Sequence, residues 1–220
     1  MDRTELDGIT PEWVAHRAGN DPHLIAPALA VADAVELDVH LFRGRLEVRH
    51  SKVLWPFRIY WEQDEGILPR ERPPRLASIL AATPDDAHLW VDVKGFTPRL
   101  TRRVLRAVGD RPVTFSGRSW WVLRAAQRRG VRTFRSVGSR TQLWLALRLT
   151  HPDGIGLPER FATPGRLTEL GRRCSSIAVW AVREPARAAE LRDLGVRTLI
   201  IDDLDLVRAT ETLGEDPSPR

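Results

Sequence analysis

Val35-Glu36-Leu37-Asp38-Val39 decides the fold. Successive side chains of a strand point to opposite faces, so Val35, Leu37 and Val39 line one face and Glu36 and Asp38 the other. An apolar face of this kind needs a cover of helices, while two carboxylates side by side on the opposite face need a polar interior. Outward from this strand, the same β-rich character recurs at Glu12 to Arg17, Leu89 to Val93, Pro112 to Phe115, Arg132 to Val137, Gly154 to Leu157, Ile177 to Val182 and Thr198 to Asp202. With Ala34 to Leu41 these make eight strands. Between them lie runs with helical spacing: Thr101 to Val108, Ser119 to Arg129, Thr141 to Leu149, Gly165 to Arg173 and Pro185 to Leu194. Strand–helix alternation of this length predicts an α/β fold with a parallel sheet, and eight units closing on themselves predict a (β/α)8 TIM barrel. No Gly-x-Gly-x-x-Gly or Walker sequence is present, which speaks against an open nucleotide-binding sheet.

The 220 residues fit one barrel, and the expected organisation is a single domain over 1–213 with an elaborated loop at 51–74 and a disordered tail at 214–220. No apolar run approaches the ~20 residues of a membrane span, and the acidic N-terminal stretch has no signal-peptide core, so a cytoplasmic location is expected. Cys174 is the one cysteine, which excludes an internal disulfide and reads as a structural thiol. The net charge of +5 and pI near 10.4 invite a nucleic-acid reading. The 32 arginines, however, are read as scattered along nearly every segment and interleaved with acids, so no nucleic-acid partner is expected. Trp55, Phe57, Tyr60 and Trp61 in the loop are expected to pack on the barrel rim rather than to touch membrane lipids.

The chemistry-bearing residues fall at strand ends. Glu36 and Asp38 share a face, as do Asp92 and Lys94. Buried carboxylates without a cation are costly enough to take up protons, so a cluster of three in a barrel mouth points to a bound metal or to pairing with arginines. Three hard oxygen ligands without sulfur favour Mg²⁺ or Ca²⁺ over zinc. His16 closes the first strand and His50 ends a hairpin-like extension of the second, and two imidazoles beside such a cluster suit acid and base work near neutral pH. His23, His40, His88 and His151 lack this context and read as surface or structural residues. Arg118, Arg135 and Arg183 lie near strand ends, where phosphate contacts are conceivable.

These residues resemble the pattern of the glycerophosphodiester phosphodiesterase family, whose barrels are of the phospholipase C-like phosphodiesterase type. The resemblance rests on His16-Arg17, Val35-Glu36-Leu37-Asp38-Val39, His50, Pro74-Arg75-Leu76, Val91-Asp92-Val93-Lys94-Gly95, Val179-Trp180-Ala181-Val182 and Leu199-Ile200-Ile201-Asp202. It implies metal binding by Glu36, Asp38 and Asp92, acid and base roles for His16 and His50, phosphate contacts from Arg17 and Lys94, and a pocket wall at Trp180. The implied activity is that of a phosphoric diester hydrolase, releasing glycerol 3-phosphate and an alcohol from a small-molecule diester through a cyclic phosphate. Departures from the family pattern are Ala18-Gly19 where glycine usually follows directly, Asp21-Pro22-His23 at the first helix, Phe42 before the hairpin, His50-Ser51 in place of His-Asp, and Asp92 in place of glutamate. Aspartate there is similar to the related sphingomyelinase D toxins. Two alternatives therefore stand beside hydrolysis: a lyase that stops at the cyclic phosphate, and a ligand-binding barrel without turnover. The sequence leaves the oligomeric state open.

Overall fold

A computed structural model describes residues 12–54, 59–62, 66–68, 73–149 and 153–214. Eight parallel strands close on themselves: β1 (Glu12–Ala15), β2 (Ala34–Phe42), β7 (His88–Val93), β8 (Val113–Gly117), β9 (Thr133–Ser136), β10 (Gly154–Pro158), β11 (Ser176–Val182) and β12 (Thr198–Ile201). β1 pairs with β12 on one side and β2 on the other, which completes the ring. The helices α1 (Pro22–Leu29), α2 (Leu76–Ala82), α3 (Pro98–Val108), α4 (Trp120–Gln127), α5 (Arg140–Leu149), α6 (Pro164–Gly171), α7 (Pro185–Asp193) and α8 (Asp205–Gly214) follow the strands in turn. The fold is the (β/α)8 barrel that the alternation predicts. Residues 215–220 and His151 lie outside the described residues.

Local chemistry sets the helix boundaries. Proline stands in the first turn of α1, α3, α6 and α7, where its missing N–H costs nothing and its fixed φ suits the helix. In α3 the buried positions Leu100, Thr101, Val104, Leu105 and Val108 form one stripe at helical spacing, and Gly109 ends the helix at positive φ.

Strand alternation sorts the core into two parts. Val35, Leu37, Val39, Leu89, Val91, Val93, Phe115, Ile155, Leu157, Val179 and Leu199 face outward and pack beneath the helices in one large cluster. Val14, Ala34, Trp90, Phe134, Ala178 and Ile200 face inward and form a second apolar cluster inside the barrel. Two residues further along the same inward faces come His16, Glu36, Asp92, Ser136, Trp180 and Asp202, so a polar layer sits directly on the apolar plug. Gly154 faces this plug because an added Cβ would lie 2.6 Å from the Phe134 ring.

The segment after β2 is more ordered than a loop. β2 turns through Arg43 and Gly44, both at positive φ, into antiparallel β3 (Arg45–Val48), with Phe42 opposite Arg45. Within 51–74, where a loop is expected from sequence, β4 (Lys52–Leu54), β5 (Ile59–Glu62) and β6 (Gly66–Leu68) form a small antiparallel sheet. Its strands are only three or four residues long, too short for periodicity to reveal. The tryptophan at 55 and the phenylalanine at 57 lie outside the described residues.

Candidate active site

His16, Arg17, Glu36, His50, Asp92, Lys94 and Trp180 line one cavity of about 630 Å³ at the C-terminal ends of the strands. The eighth expected residue, Asp38, lies beneath them, 1% exposed. The ends of β1, β2, β7, β11 and the β3–β4 connection thus converge as the motif spacing predicts.

Glu36, Asp38 and Asp92 each offer an oxygen, and these atoms lie within 4.8 Å of one another, a group able to hold a metal ion. β2 and β7 bring them together by register, since Asp38 is paired directly with Asp92. Lys94, two residues past Asp92 on the same face, places its Nζ 2.7 Å from Asp38 Oδ1 and donates to Asp92 as well. Lys94, expected to meet phosphate, lines the cavity and also ion-pairs with the carboxylate cluster.

Burial pushes the Glu36 carboxyl well above the ordinary carboxylate range, and the charge of Asp38 adds to that. Burial works in the same direction on Asp38, but the Lys94 charge and hydrogen bond, with that of Asn20, bring it down to about 2. Burial disfavours the Lys94 ammonium, yet Asp92, Asp38 and Glu36 together hold it above its ordinary range. A cluster with one carboxyl pushed toward neutrality has more acid than its single lysine can balance, and that excess suits a divalent cation with oxygen preference.

Glu36 is further fixed by the chain before it. Arg17 adopts the left-handed region at φ 56° and its N–H donates to Glu36 Oε2 at 2.7 Å. Gly19 follows because an added Cβ would stand 2.9 Å from the Glu36 carbonyl oxygen and the Leu37 Cβ. Asn20 then brackets Asp38, accepting from its N–H and donating to its Oδ2, both at 2.8 Å. The displaced glycine of the sequence motif is thereby accounted for: the turn passes close to β2 at Gly19, one residue later than in the family pattern.

Each histidine is held by a carboxylate. His16 Nδ1 donates to Asp202 Oδ1 at 2.5 Å, which leaves Nε2 as the nitrogen available to a ligand. The hydrogen bond from His16 holds the Asp202 carboxyl below its ordinary range. His50 Nδ1 donates to Glu62 Oε1 at 2.5 Å, while its Nε2 accepts from the Arg17 guanidinium at 2.8 Å. That pattern defines a neutral ring, and burial with the nearby Arg17 and Lys94 charges favours it, against the pull of Asp38 and Glu62. Arg17 also donates to Glu62 at 3.0 Å, closing a three-membered network.

Asp202, Glu62 and Asn20 carry no role in the sequence reading. Asp202 is visible there as an acid at the end of a strand, the position that marks barrel catalysis. Glu62 has no such signal, because its place depends on the small inserted sheet. Arg118 and Arg183 reach the cavity, as does Arg160, whereas Arg135 is not among its lining residues, since the alternation of β9 turns Phe134 and Ser136 inward instead. His23, His40 and His88 stand away from the cavity. His40 is held neutral, its pKa pushed down to about 3 by burial and by Arg49.

A (β/α)8 barrel with a carboxylate cluster and two buttressed histidines at its mouth is thus the class that fold and site define. The chain matches no protein-family model and no curated protein. Among solved structures it is similar to the Oleispira antarctica phosphodiesterase in complex with the product sn-glycerol-3-phosphate, at 15% identity and TM-score 0.70, covering 92% of this chain and 97% of that one. It is similar also to glycerophosphodiester phosphodiesterases from Parabacteroides distasonis (16%, TM-score 0.69, 94% and 99% covered) and Thermotoga maritima (18%, TM-score 0.65, 89% and 96% covered). The barrel fold of these proteins is therefore the fold of this chain over nearly its whole length.

Proposed function

We propose that the protein is a metal-dependent phosphodiesterase that hydrolyses glycerophosphodiesters or related lysolipid-type diesters to glycerol 3-phosphate and an alcohol. The observation that carries this reading is the cluster of Glu36 and Asp92, in one cavity with His16 and His50, with Asp38 beneath them, each histidine oriented by its own carboxylate. The solved relatives support it by analogy of fold.

The three carboxylates would hold Mg²⁺ or Ca²⁺, which supplies positive charge to the phosphate oxygens when bound. His50, neutral and with its lone pair on Nε2, is placed to accept the proton of a substrate hydroxyl as that oxygen attacks phosphorus. Arg17 now occupies that lone pair, and a phosphate between the two gives the guanidinium a better partner while releasing the base. His16, backed by the ionised Asp202, is suited to carry a proton and give it to the departing alcohol. With the alcohol gone, the roles reverse as water opens the cyclic phosphate. Arg17 supplies a fixed cation where negative charge grows, and Trp180 forms a wall of the pocket.

The test is release of glycerol 3-phosphate from glycerophosphocholine and glycerophosphoethanolamine by chelator-treated protein, with Mg²⁺, Ca²⁺ or Mn²⁺ returned. Metal-restored turnover that disappears in Asp92→Asn supports the reading, and phosphorus NMR separates hydrolysis from a halt at the cyclic phosphate. No product from any glycerophosphodiester or lysophospholipid with any of the metals would sink it in favour of a barrel that only binds its ligand.

A further inference from the structure

The described residues leave six large hydrophobic side chains exposed: Leu24, Ile67, Phe96, Trp120, Trp121 and Trp144. Four of the six, Leu24, Phe96, Trp120 and Trp121, lie toward one end of the barrel. Leu24 is in the first turn of α1, Phe96 in the β7–α3 connection, Trp120 and Trp121 open α4, Trp144 stands one turn into α5, and Ile67 belongs to the sheet inserted between β2 and α2. Leu24, Phe96, Trp120 and Trp121 stand just past the C-terminal ends of barrel strands, on the side of the cavity mouth, and Trp144 lies one turn further along α5. Phe96 is 86% exposed and Trp121 and Trp144 are each 52% exposed, although a folded chain gains by covering such surfaces.

The charge of the same stretch of sequence is one-sided. From Arg99 to Arg148 the chain carries thirteen arginines and a single acid, Asp110, a net of 13 − 1 = +12. The whole chain is +5, so the remainder carries 5 − 12 = −7. The arginines are thus segregated rather than interleaved, contrary to the sequence reading above, which took the chain as a whole instead of segment by segment. This basic arc is α3, β8, α4, β9 and α5, the same sector that holds Phe96 and the three tryptophans. Arg124 lies over the rings of Trp120 and Trp121, and Arg148 lies 4.6 Å from the ring centroid of Trp144.

We propose that the mouth of the barrel, over α3 to α5, docks on an anionic phospholipid bilayer. Tryptophan rings with cationic neighbours are suited to the headgroup level, where one end of the side chain is apolar and the other wet. Anionic lipid matches the arginines of this arc on the mouth side, Arg99, Arg118 and Arg140, with Arg124 against the tryptophans, each arginine near such a surface strengthening binding about fivefold, while Arg106, Arg111, Arg128, Arg129 and Arg132 lie toward the opposite end. A second copy of this chain is the poorer occupant, since it would bring a like-charged arc against this one. RNA offers stacking to the aromatic rings but nothing to the aliphatic Leu24 and Ile67.

Flotation of the full chain with vesicles tests this without reference to turnover, so failure of the hydrolytic reading leaves the outcome intact. Binding is expected to vesicles of phosphatidylcholine mixed with phosphatidylglycerol, to be weak on phosphatidylcholine alone, and to fall with salt. Trp121→Ser with Trp144→Ser should lower partitioning about tenfold or more, and Arg124→Gln with Arg148→Gln should lower it on anionic vesicles only, with unchanged thermal unfolding in both pairs. The proposal is overturned by failure to float with anionic vesicles, by equal binding of the tryptophan variant and the parent, by a tryptophan-dependent dimer in light scattering, or by tryptophan-dependent RNA binding in place of vesicle binding.

Discussion

Replacing Lys94 by methionine keeps most of the side-chain volume and removes the one ammonium in contact with Asp38 and Asp92. Asp38 is 1% exposed and cannot recover the loss by turning to water. Removing one partner of a buried pair generally costs about 3–5 kcal/mol. A ceiling applies, because Asp38 can instead take up a proton: from an unfolded value near 3.9, that costs 1.36 × (7 − 3.9), about 4 kcal/mol, at pH 7. At pH 5 the same ceiling is 1.36 × (5 − 3.9), about 1.5 kcal/mol. In the parent, Asp38 is depressed to about 2 when folded, so its contribution is fully present above the unfolded value and is lost only as pH falls toward 2. In Lys94→Met the folded Asp38 is raised instead, so the folded chain binds the extra proton and the variant recovers stability as pH falls from 7 to 5. Urea unfolding of chelator-treated parent and variant should therefore show a gap of about 3–4 kcal/mol at pH 7 that narrows to about 1.5 kcal/mol or less at pH 5. A gap independent of pH, or one below about 1 kcal/mol at pH 7, refutes Lys94 as the counter-ion of the buried carboxylate.

His16→Ala and His50→Ala should each lower kcat by about 10²–10⁴-fold in the glycerophosphodiester assay while circular dichroism and thermal unfolding stay near those of the parent. Unfolding of both variants would show that the rings are structural. Glu62→Gln replaces the charged acceptor of His50 Nδ1 and of Arg17, and a lost charge-assisted hydrogen bond of about 1.5–3 kcal/mol corresponds to a fall of roughly 10–150-fold in kcat/KM. Gly154→Ala sets a methyl group 2.6 Å from the Phe134 ring and should cost about 1–3 kcal/mol in urea unfolding, whereas Gly165→Ala, with open space around its Cα, should cost far less. Burial raises the Cys174 thiol to about 11, so its alkylation by iodoacetamide should be slow at pH 8 and accelerate only toward that value; because the folded thiol keeps its proton longer than the unfolded one, its effect on stability is lost as pH rises from the ordinary thiol range through 11.

The barrel was legible because all eight strands of the ring stand out as β-rich runs and five of the helices between them show helical spacing; α1 and α8 are not among those five. The carboxylate cluster was legible from spacing: a period of two fixes that Glu36 and Asp38 share a face, as do Asp92 and Lys94. What periodicity does not carry is the partner across space. Nothing in the spacing tells that Lys94 turns to Asp38, that Asn20 brackets it, or that Asp202 meets His16 from a strand 186 positions away. The inserted sheet escaped because strands of three or four residues hold too few positions for a pattern. The charge segregation escaped for a different reason, since a whole-chain net of +5 averages a +12 segment with a −7 remainder.

The two histidines are held by different parts of the molecule. His16 is fixed within the barrel itself: β1 and β12 are paired along their length, and Asp202 follows the last residue of β12 as His16 follows the last of β1. His50 is fixed by Glu62 from the inserted sheet, whose strands pair with one another and not with the ring. Arg17 joins the two, since its backbone N–H holds Glu36 of the carboxylate cluster while its guanidinium reaches both Glu62 and His50. Disorder in the inserted sheet therefore reaches His50 and the Arg17 side chain but leaves His16, Asp202 and the carboxylates in place, because among the described residues they are held by one another, the Arg17 N–H, Asn20 and Lys94. The barrel supplies one histidine and the cluster outright, and the second histidine is as well positioned as the small sheet is folded.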